Sequence, residues 1–218
     1  MSKTEITIDV VSDVVCPWCY LGKRRLERAL TLVPELDVTV RWHPYQLDPS
    51  VPPEGMDRRD YFRRKFGSVD AVTEAHRRLT EFGRAEGIEY RFDDMTRAAN
   101  TIDAHRLIRW AATEGKEEAM VERLFRANFT DALDIGDRET LARLAGELGM
   151  DADMVAARLA TDEDRETVVA EIEQAQRIGV TGVPTFIVNG RYAVVGAHPA
   201  ESIVGAIREA AEAQAAAE

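Results

Sequence analysis

Cysteine is nearly absent from this sequence of 218 residues, which contains only two. A disulfide-rich scaffold needs several pairs and a structural zinc site needs four ligands, so two cysteines support neither. The four histidines are scattered and do not complete a zinc-binding pattern: they are His43, His76, His105 and His198. No metal site is therefore expected, and the cysteine chemistry reduces to one pair, Cys16 and Cys19.

Positive charge and long apolar runs are also scarce. The net charge is −11 and no long basic run offsets it, so the chain is expected to repel a nucleic-acid backbone. No apolar stretch approaches the ~18 residues that a membrane span needs. The stretch from Met1 to Asp13 carries Glu5 and Asp9 among its apolar residues, which does not fit a secretory signal. These absences predict a cytoplasmic protein that binds neither nucleic acid nor membrane.

The first part of the sequence predicts a strand, a helix and a second strand. Thr4 to Val11 alternates polar and apolar residues and then becomes fully apolar, as in a buried strand. Cys16-Pro17 is predicted to open a helix that runs to about Leu32, because proline is favoured at the first helical position. Val38 to Trp42 is predicted to form the second strand.

The stretch from 57 to 178 has apolar residues with a helical period. One predicted helix carries its apolar face on Ala98, Ile102, Ile108 and Ala112. Asp137 and Asp151 are predicted to be helix N-caps, since a carboxylate can accept the unpaired N–H groups of a first turn. The stretch is predicted to be a bundle of about five or six helices.

The last part of the sequence returns to strand patterns. Thr185 to Val188 and Tyr192 to Val195 flank Asn189-Gly190, a dipeptide typical of a tight hairpin turn. Pro199 is predicted to open a final helix that ends near the C-terminus.

The predicted element order is β-α-β, a helical stretch, and then β-β-α. Neither half can bury a sheet by itself, so the two halves are expected to lie together. The sequence thus predicts an α/β protein with a thioredoxin fold and a large helical insertion domain. Residues 1–56 and 179–218 would form the discontinuous thioredoxin-like domain, and residues 57–178 the inserted helical domain.

The Cys16-Pro17-Trp18-Cys19 segment lies where the first strand meets the first helix. Residues three apart on a helix come close enough to form a disulfide. The positive end of the helix favours a thiolate at Cys16, whereas Cys19 lies one turn deeper. The segment therefore predicts thiol–disulfide exchange, in which Cys16 attacks and Cys19 resolves the mixed disulfide. A structural disulfide and two inert buried cysteines are the alternatives; the reducing cytosol disfavours the first, and the exposed character of the Pro-Trp turn disfavours the second.

A second candidate segment, Gly182-Val183-Pro184-Thr185, stands immediately before a predicted strand. Proline is tolerated there but not inside a central strand. In the predicted arrangement this loop lies opposite Cys16. The candidate substrate-binding residues are therefore Pro17, Trp18, Val183 and Pro184.

Three segments of the sequence form a specific set when they are taken in order. They are Ser12-Asp13-x-x-Cys16-Pro17-Trp18-Cys19-Tyr20-x-Gly22, Asn100-Thr101-x-x-Ala104-His105-Arg106-Leu107 and Gly179-Val180-x-Gly182-Val183-Pro184. Together they resemble the DsbA-like thioredoxin superfamily, and specifically its FrnE-like branch of cytoplasmic oxidoreductases. The resemblance implies a nucleophilic Cys16, a resolving Cys19 and a cis Val183–Pro184 bond. Trp18 stands where the periplasmic DsbA enzymes have histidine, so their extreme oxidising power is not expected here.

The same superfamily contains glutathione-dependent enzymes, in which a serine matches Cys16. Because both cysteines are present, the favoured function is a protein thiol–disulfide oxidoreductase or isomerase that acts on client proteins. The alternatives are a kappa-like glutathione transferase, a 2-hydroxychromene-2-carboxylate-type isomerase, and a redox-responsive binding module. No cofactor beyond the redox-active cysteine pair is expected, and glutathione is a candidate co-substrate and partner.

Three matters stay open at the level of sequence. Asn100 either caps its helix or lines a cleft, and His105 is either a core histidine or a cleft residue near the sulfurs. The direction of electron flow is not fixed. The oligomeric state is not fixed either, and a dimer is one option.

Overall fold

The computed structural model describes residues 4–216, which begin with β1 (Glu5–Ser12), α1 (Pro17–Thr31) and β2 (Asp37–Pro44). β1 and β2 run in parallel, and each residue of one strand is paired with one of the other from Glu5↔Asp37 to Ser12↔Pro44. These bounds confirm the predicted strand–helix–strand start. A crossover helix between two parallel neighbours is the usual solution for such a pair.

The middle of the described chain contains seven α-helices and a short β-ribbon. The helices are α2 (Arg58–Phe66), α3 (Thr73–Ala85), α4 (Ile102–Thr113), α5 (Glu117–Phe129), α6 (Arg138–Glu147), α7 (Ala152–Leu159) and α8 (Arg165–Arg177). The ribbon pairs β3 (Met56–Asp57) with β4 (Arg97–Ala98) in antiparallel fashion. The predicted number of helices was too small, and the ribbon was not predicted.

In this stretch the predicted helix N-caps are confirmed, but one predicted helix starts later than expected. Asp137 and Asp151 are N-caps, and their carboxylates accept the N–H groups of Thr140 and Met154, as predicted. The helix predicted to include Ala98 begins only at Ile102, because Ala98 pairs in β4. Ala112, the other end of that predicted apolar face, is exposed.

The chain ends with β5 (Thr185–Val188), β6 (Tyr192–Val195) and α9 (Ala200–Ala215). Asn189 and Gly190 have φ values of 48° and 63°, so both central residues of the hairpin turn are left-handed, as in a type I′ turn. β5 is antiparallel to β1 and to β6, which gives the sheet order β2-β1-β5-β6. The β-β-α end of the chain is confirmed.

The two faces of this sheet are packed differently. On one face Ile6, Ile8 and Val10 are buried, and α9 packs against α1, β1 and β5. On the other face a small core forms around residues of β1, α8 and the loop that follows it: Val11, Ala175 and Val180, with Tyr45, Val183 and Ile187 against them.

The chain divides into two compact units, and one boundary falls within α8. The first unit holds the described residues up to Tyr45 and those from Ile172 onward, and the second is Gln46–Glu171. Whether the stretch 57–178 is an independently folding domain stays a prediction. Within residues 4–216, no helix is both long and apolar enough to cross a membrane.

Candidate active site

Cys16 stands at the N-cap of α1, at the junction with β1. Its backbone is extended, with φ −90° and ψ 111°, and Pro17 occupies the start of the helix as predicted. The Cys16 N–H donates to the Asp13 carbonyl at 2.9 Å, which closes a tight turn between strand and helix. The Cys16 carbonyl accepts the Cys19 N–H at 3.0 Å in the first turn. The unpaired N–H groups and the dipole of α1 favour negative charge at this position.

Cys19 lies one turn into α1 and is 1% exposed. Both cysteines are free thiols, and their side chains are hydrogen-bonded to each other. Burial raises the pKa of the Cys19 thiol well above its usual value, and the hydrogen bond and charge of Cys16 raise it further. The Ser12 hydroxyl and the Asp13 N–H lower this pKa and offset only part of the rise. Cys19 is therefore a neutral thiol at neutral pH, and it must lose a proton before it can act as a nucleophile.

The loop before β5 lies against the Cys16 sulfur. The Val183–Pro184 bond is cis, as the resemblance implied. The Cys16 thiol donates to the Val183 carbonyl with an Sγ to O distance of 3.7 Å, a weak bond of the kind that thiols form. The Pro184 carbonyl accepts the Gly196 N–H at 2.7 Å, which ties this loop to the residue that follows β6.

Gly22 allows α1 to approach this loop closely. A Cβ atom added at Gly22 would lie 2.7 Å from the Cγ of Pro184 and 3.1 Å from the Cζ of Phe186. The first distance is shorter than van der Waals contact allows, and the proline ring cannot turn away without moving its backbone. Gly22 belongs to the Cys16-containing sequence motif, and this close contact is a role that the motif did not reveal. A glycine inside a helix, where alanine is more favourable, was the available signal.

The structure brings four of the six candidate residues together: Cys16, Cys19, Val183 and Pro184. Pro17 and Trp18 are half-buried beside them in the chain, and their contact with a substrate stays a prediction. Cys16 itself is only 3% exposed, so little of its surface is open to a client. Within residues 4–216, no group of three or more His, Cys, Asp or Glu side chains is arranged to hold a metal ion.

Asn100 lies in the second unit, one residue before Thr101, which is the N-cap of α4. Its side-chain oxygen accepts the N–H of Ile102 at 3.1 Å, at the start of α4, and its side-chain nitrogen donates to the Val51 carbonyl at 2.8 Å. Of the two roles left open by the sequence, the structure favours the helix cap. His105 is 5% exposed on α4, and a role in chemistry stays untested.

Arg106 belongs to the second sequence motif, and its guanidinium group is fully buried. It donates to Asp103 at 2.8 Å and to the carbonyls of Arg158, Thr161 and Glu163 at 2.9, 2.9 and 2.6 Å. Those carbonyls belong to the last turn of α7 and to the segment between α7 and α8, so Arg106 connects this part of the chain to α4. The available signal was the spacing of Asp103 and Arg106, because an acid and a base three residues apart share a helix face.

Comparison with known proteins gives a match along most of the chain. The model of the DSBA-like thioredoxin domain family matches residues 7–208. The chain is 30% identical over 187 residues to the uncharacterized protein YwbO of Bacillus subtilis, a match that covers 84% of this chain and 86% of YwbO.

Solved structures are similar over nearly the whole length. The probable DsbA oxidoreductase SCO1869 of Streptomyces coelicolor has a TM-score of 0.87 and 35% identity, covering 94% of this chain and 89% of that one. The cytosolic disulfide reductase DsbM of Pseudomonas aeruginosa has a TM-score of 0.64 and 21% identity, covering 97% of this chain and 100% of that one. A structure of DsbM with GSH has a TM-score of 0.61 and 22% identity, with coverage of 96% and 98%. At these identities the likeness to DsbM shows the fold alone.

Proposed function

The chain belongs to the DSBA-like thioredoxin domain family and has its thioredoxin fold, and from this premise we propose that it is a cytoplasmic, FrnE-like protein thiol–disulfide oxidoreductase. Cys16 is the nucleophile and Cys19 is the resolving cysteine. The observation that carries the proposal is a contrast within one helical turn. Cys16 stands at the helix N-terminus with its sulfur 3.7 Å from the Val183 carbonyl, whereas Cys19 is buried with a raised pKa.

The proposed reaction transfers two electrons from the dithiol to a client disulfide. The Cys16 thiolate attacks one client sulfur, the client S–S bond breaks, and the departing client thiolate takes up a proton. Cys19 then gives up its proton and attacks Cys16, which forms the Cys16–Cys19 disulfide and releases the second client thiol. The raised pKa of Cys19 supports this order, because it keeps Cys19 neutral while Cys16 reacts.

The client would be aligned by the loop at Val183 and Pro184. An extended client segment can pair with outward-facing main-chain groups at such a loop, as in recognition by strand addition. The Val183 carbonyl lies beside the reacting sulfur, so a client that pairs there carries its own sulfur to Cys16. Pro17 and Trp18 are proposed to line the same client site.

Glutathione is proposed as the reductant that returns the Cys16–Cys19 disulfide to the dithiol. The support is chemical, because the cytosolic thiol pool is rich in glutathione, which reduces disulfides by thiol–disulfide exchange. DsbM, whose fold is similar, has been solved with GSH. One glutathione would attack the oxidised pair to form a mixed disulfide, and a second would release glutathione disulfide.

A pair of single-cysteine variants tests the proposal. In an insulin-disulfide reduction assay supplied with glutathione, Cys16→Ser is expected to fall to background because the attacking sulfur is gone. Cys19→Ser is expected to accumulate stable mixed disulfides through Cys16, which mass spectrometry detects on non-reduced protein. The two variants remove one sulfur each from the same helix and serve as controls for one another.

Two results would contradict the proposal. Strong glutathione conjugation by Cys16→Ser would place the chemistry in a glutathione transferase or isomerase. Wild-type protein that cycles between dithiol and disulfide without turning over any disulfide substrate would instead indicate a redox-responsive binding module.

A further inference from the structure

β2 is an outer strand of the sheet, and its hydrogen-bonding groups divide cleanly between two sides. The N–H of Asp37 donates to the Thr4 carbonyl at 3.0 Å, and the N–H of Tyr45 donates to the Ser12 carbonyl at 2.9 Å. Because backbone groups alternate along a strand, the odd-numbered residues of β2 face β1. The N–H and C=O groups of Val38 and Val40 therefore face outward, and none of the described residues bonds them.

The exposed face of the same strand carries unpaired charge of both signs. Asp37 and Arg41 are exposed, and neither has an ion-pair partner within residues 4–216. Glu5 of β1 lies directly beside Asp37, which places two carboxylates next to each other. Like charges in adjacent strand positions repel, so this corner of the sheet is favourable for an added cation.

We propose that β2 pairs with β2 of a second copy of this chain, in antiparallel fashion, about a two-fold axis that passes through Thr39. In this register Val38 lies opposite Val40 of the partner subunit, and Asp37 lies opposite Arg41 of the partner subunit. The two sheets then continue as one, and the interface is isologous, as in most homodimers. The proposal is independent of the redox chemistry at Cys16.

The backbone and the side chains select the same register. The outward groups of Val38 and Val40 meet as hydrogen-bonded pairs, each exchanging two N–H···O bonds. Asp37 and Arg41 fall in the non-hydrogen-bonded pairs, where side chains lie closest. A shift of the two-fold axis to Val38 or Val40 keeps the backbone bonds but sets Asp37 opposite Thr39 or His43. Only the axis at Thr39 pairs each unpaired carboxylate with an unpaired guanidinium.

Charge reversal tests this register directly. Sedimentation velocity across a concentration series should show wild-type protein as a dimer with twice the 24.3 kDa chain mass. Asp37→Arg alone and Arg41→Asp alone each set like charges opposite each other twice, so each should weaken dimerisation on the order of tenfold or more. The double variant Asp37→Arg/Arg41→Asp restores opposite charges and should recover the dimer. Each side chain is exposed, so each variant should keep wild-type circular dichroism. Arg41→Asp also sets a carboxylate beside Asp9 within one chain, so its free energy of unfolding is measured together with its dimerisation.

A backbone variant provides a second, independent test. Val40→Pro removes one outward N–H but no bond to β1, so it should give a folded monomer. Val40→Thr keeps the N–H and serves as the matched control, which should stay dimeric. A wild-type monomer at every concentration would overturn the proposal. So would a dimer that is indifferent to charge reversal and to Val40→Pro, because its interface would lie elsewhere.

Discussion

Two polar groups are buried in this molecule with opposite consequences. Arg106 is 0% exposed, and its guanidinium donates to one carboxylate and to three carbonyls. Cys19 is 1% exposed, and the bonds that favour its thiolate offset only part of the cost of burial. Its pKa is raised as a result. A buried group with several matched partners, like the Arg106 guanidinium, is stabilised in its charged form. A buried group with too few partners, like the Cys19 thiol, stays neutral until a reaction step removes its proton.

The comparison also shows what a sequence motif does not reveal. Both groups belong to motifs on which the family resemblance rests. The motif with Cys19 positions the two sulfur atoms, whereas the motif with Arg106 holds two helices together within the unit Gln46–Glu171. Arg106 is part of a larger network centred on Asp103, which accepts hydrogen bonds from Arg106, Arg138 and Arg165 at 2.8, 2.8 and 2.9 Å. Such a convergent network stabilises the unit that contains it.

The largest expected effect comes from removing the buried guanidinium. Arg106→Met leaves three carbonyls without their donor and takes one cation from Asp103, so the free energy of unfolding should fall by about 3–5 kcal/mol. Disulfide turnover per folded molecule should stay close to wild type, because Arg106 contacts neither sulfur. Urea denaturation followed by circular dichroism measures the first quantity, and insulin reduction at low temperature the second.

Arg109→Met is the matched control on the same helix. Arg109 is 41% exposed and pairs with Asp164 and Glu171 at the surface, so its loss should cost less than about 1 kcal/mol. Equal destabilisation by the two variants would contradict the claim that Arg106 stabilises the protein through its burial and its four hydrogen bonds.

A smaller effect is expected where α1 meets the Val183–Pro184 loop. Gly22→Ala adds a Cβ that would lie 2.7 Å from the Cγ of Pro184, so helix and loop must separate. We expect a loss of about 1–3 kcal/mol in the free energy of unfolding, with slower disulfide turnover because the Cys16 sulfur moves away from the Val183 carbonyl. This result would show that the redox site depends on close packing as well as on its thiols.

Gly205→Ala in α9 is the control for Gly22→Ala. No heavy atom lies within 4 Å of the position that its added Cβ would occupy, so this variant should be neutral or slightly stabilising through helix propensity. If Gly22→Ala changed neither the free energy of unfolding nor disulfide turnover, the close contact with Pro184 would not matter for stability or function.

The thioredoxin-like elements could be predicted from the sequence because their signals are local. The alternation in β1, the Cys16-Pro17 helix start and the Asn189-Gly190 turn each depend on neighbouring residues. The cysteine pair was found for the same reason. The cis bond at Val183–Pro184 was reached through the family resemblance.

The remaining features depend on residues that are far apart in sequence. The β3–β4 ribbon pairs Met56 with Ala98, and two residues per strand leave no periodic pattern to detect. Arg106 finds carbonyls more than fifty positions away, and the close contact of Gly22 is with Pro184. Tertiary contacts of this kind override local patterns. The motifs could therefore be recognised in the sequence, but the roles of Gly22 and Arg106 within them could not be predicted.

The smallest expected effect tests the incomplete bonding of Cys19. The Ser12 hydroxyl is buried, and its interaction with the Cys19 thiol lowers the pKa of Cys19. Ser12→Ala should therefore raise that pKa further and reduce the thiolate fraction at any given pH below it. In the proposed reaction Cys19 resolves the mixed disulfide as a thiolate, so resolution should accelerate as pH rises. The variant should show the same rise displaced to higher pH.

At fixed pH the loss of this interaction should slow resolution by at most about fivefold, because even a full hydrogen bond contributes about 1 kcal/mol. Reduced protein can be mixed with glutathione disulfide, quenched with acid and weighed by mass spectrometry, so that the Cys16–glutathione adduct is counted before Cys19 displaces it. Ser12→Ala should accumulate more adduct than wild type, and Ser12→Thr, which keeps a hydroxyl, should accumulate less than Ser12→Ala. The first step, attack by Cys16, should be unchanged, since Ser12 acts on the other sulfur. A pH profile of resolution that does not move in Ser12→Ala would mean that burial and Cys16 set the pKa of Cys19 without a measurable contribution from the Ser12 hydroxyl.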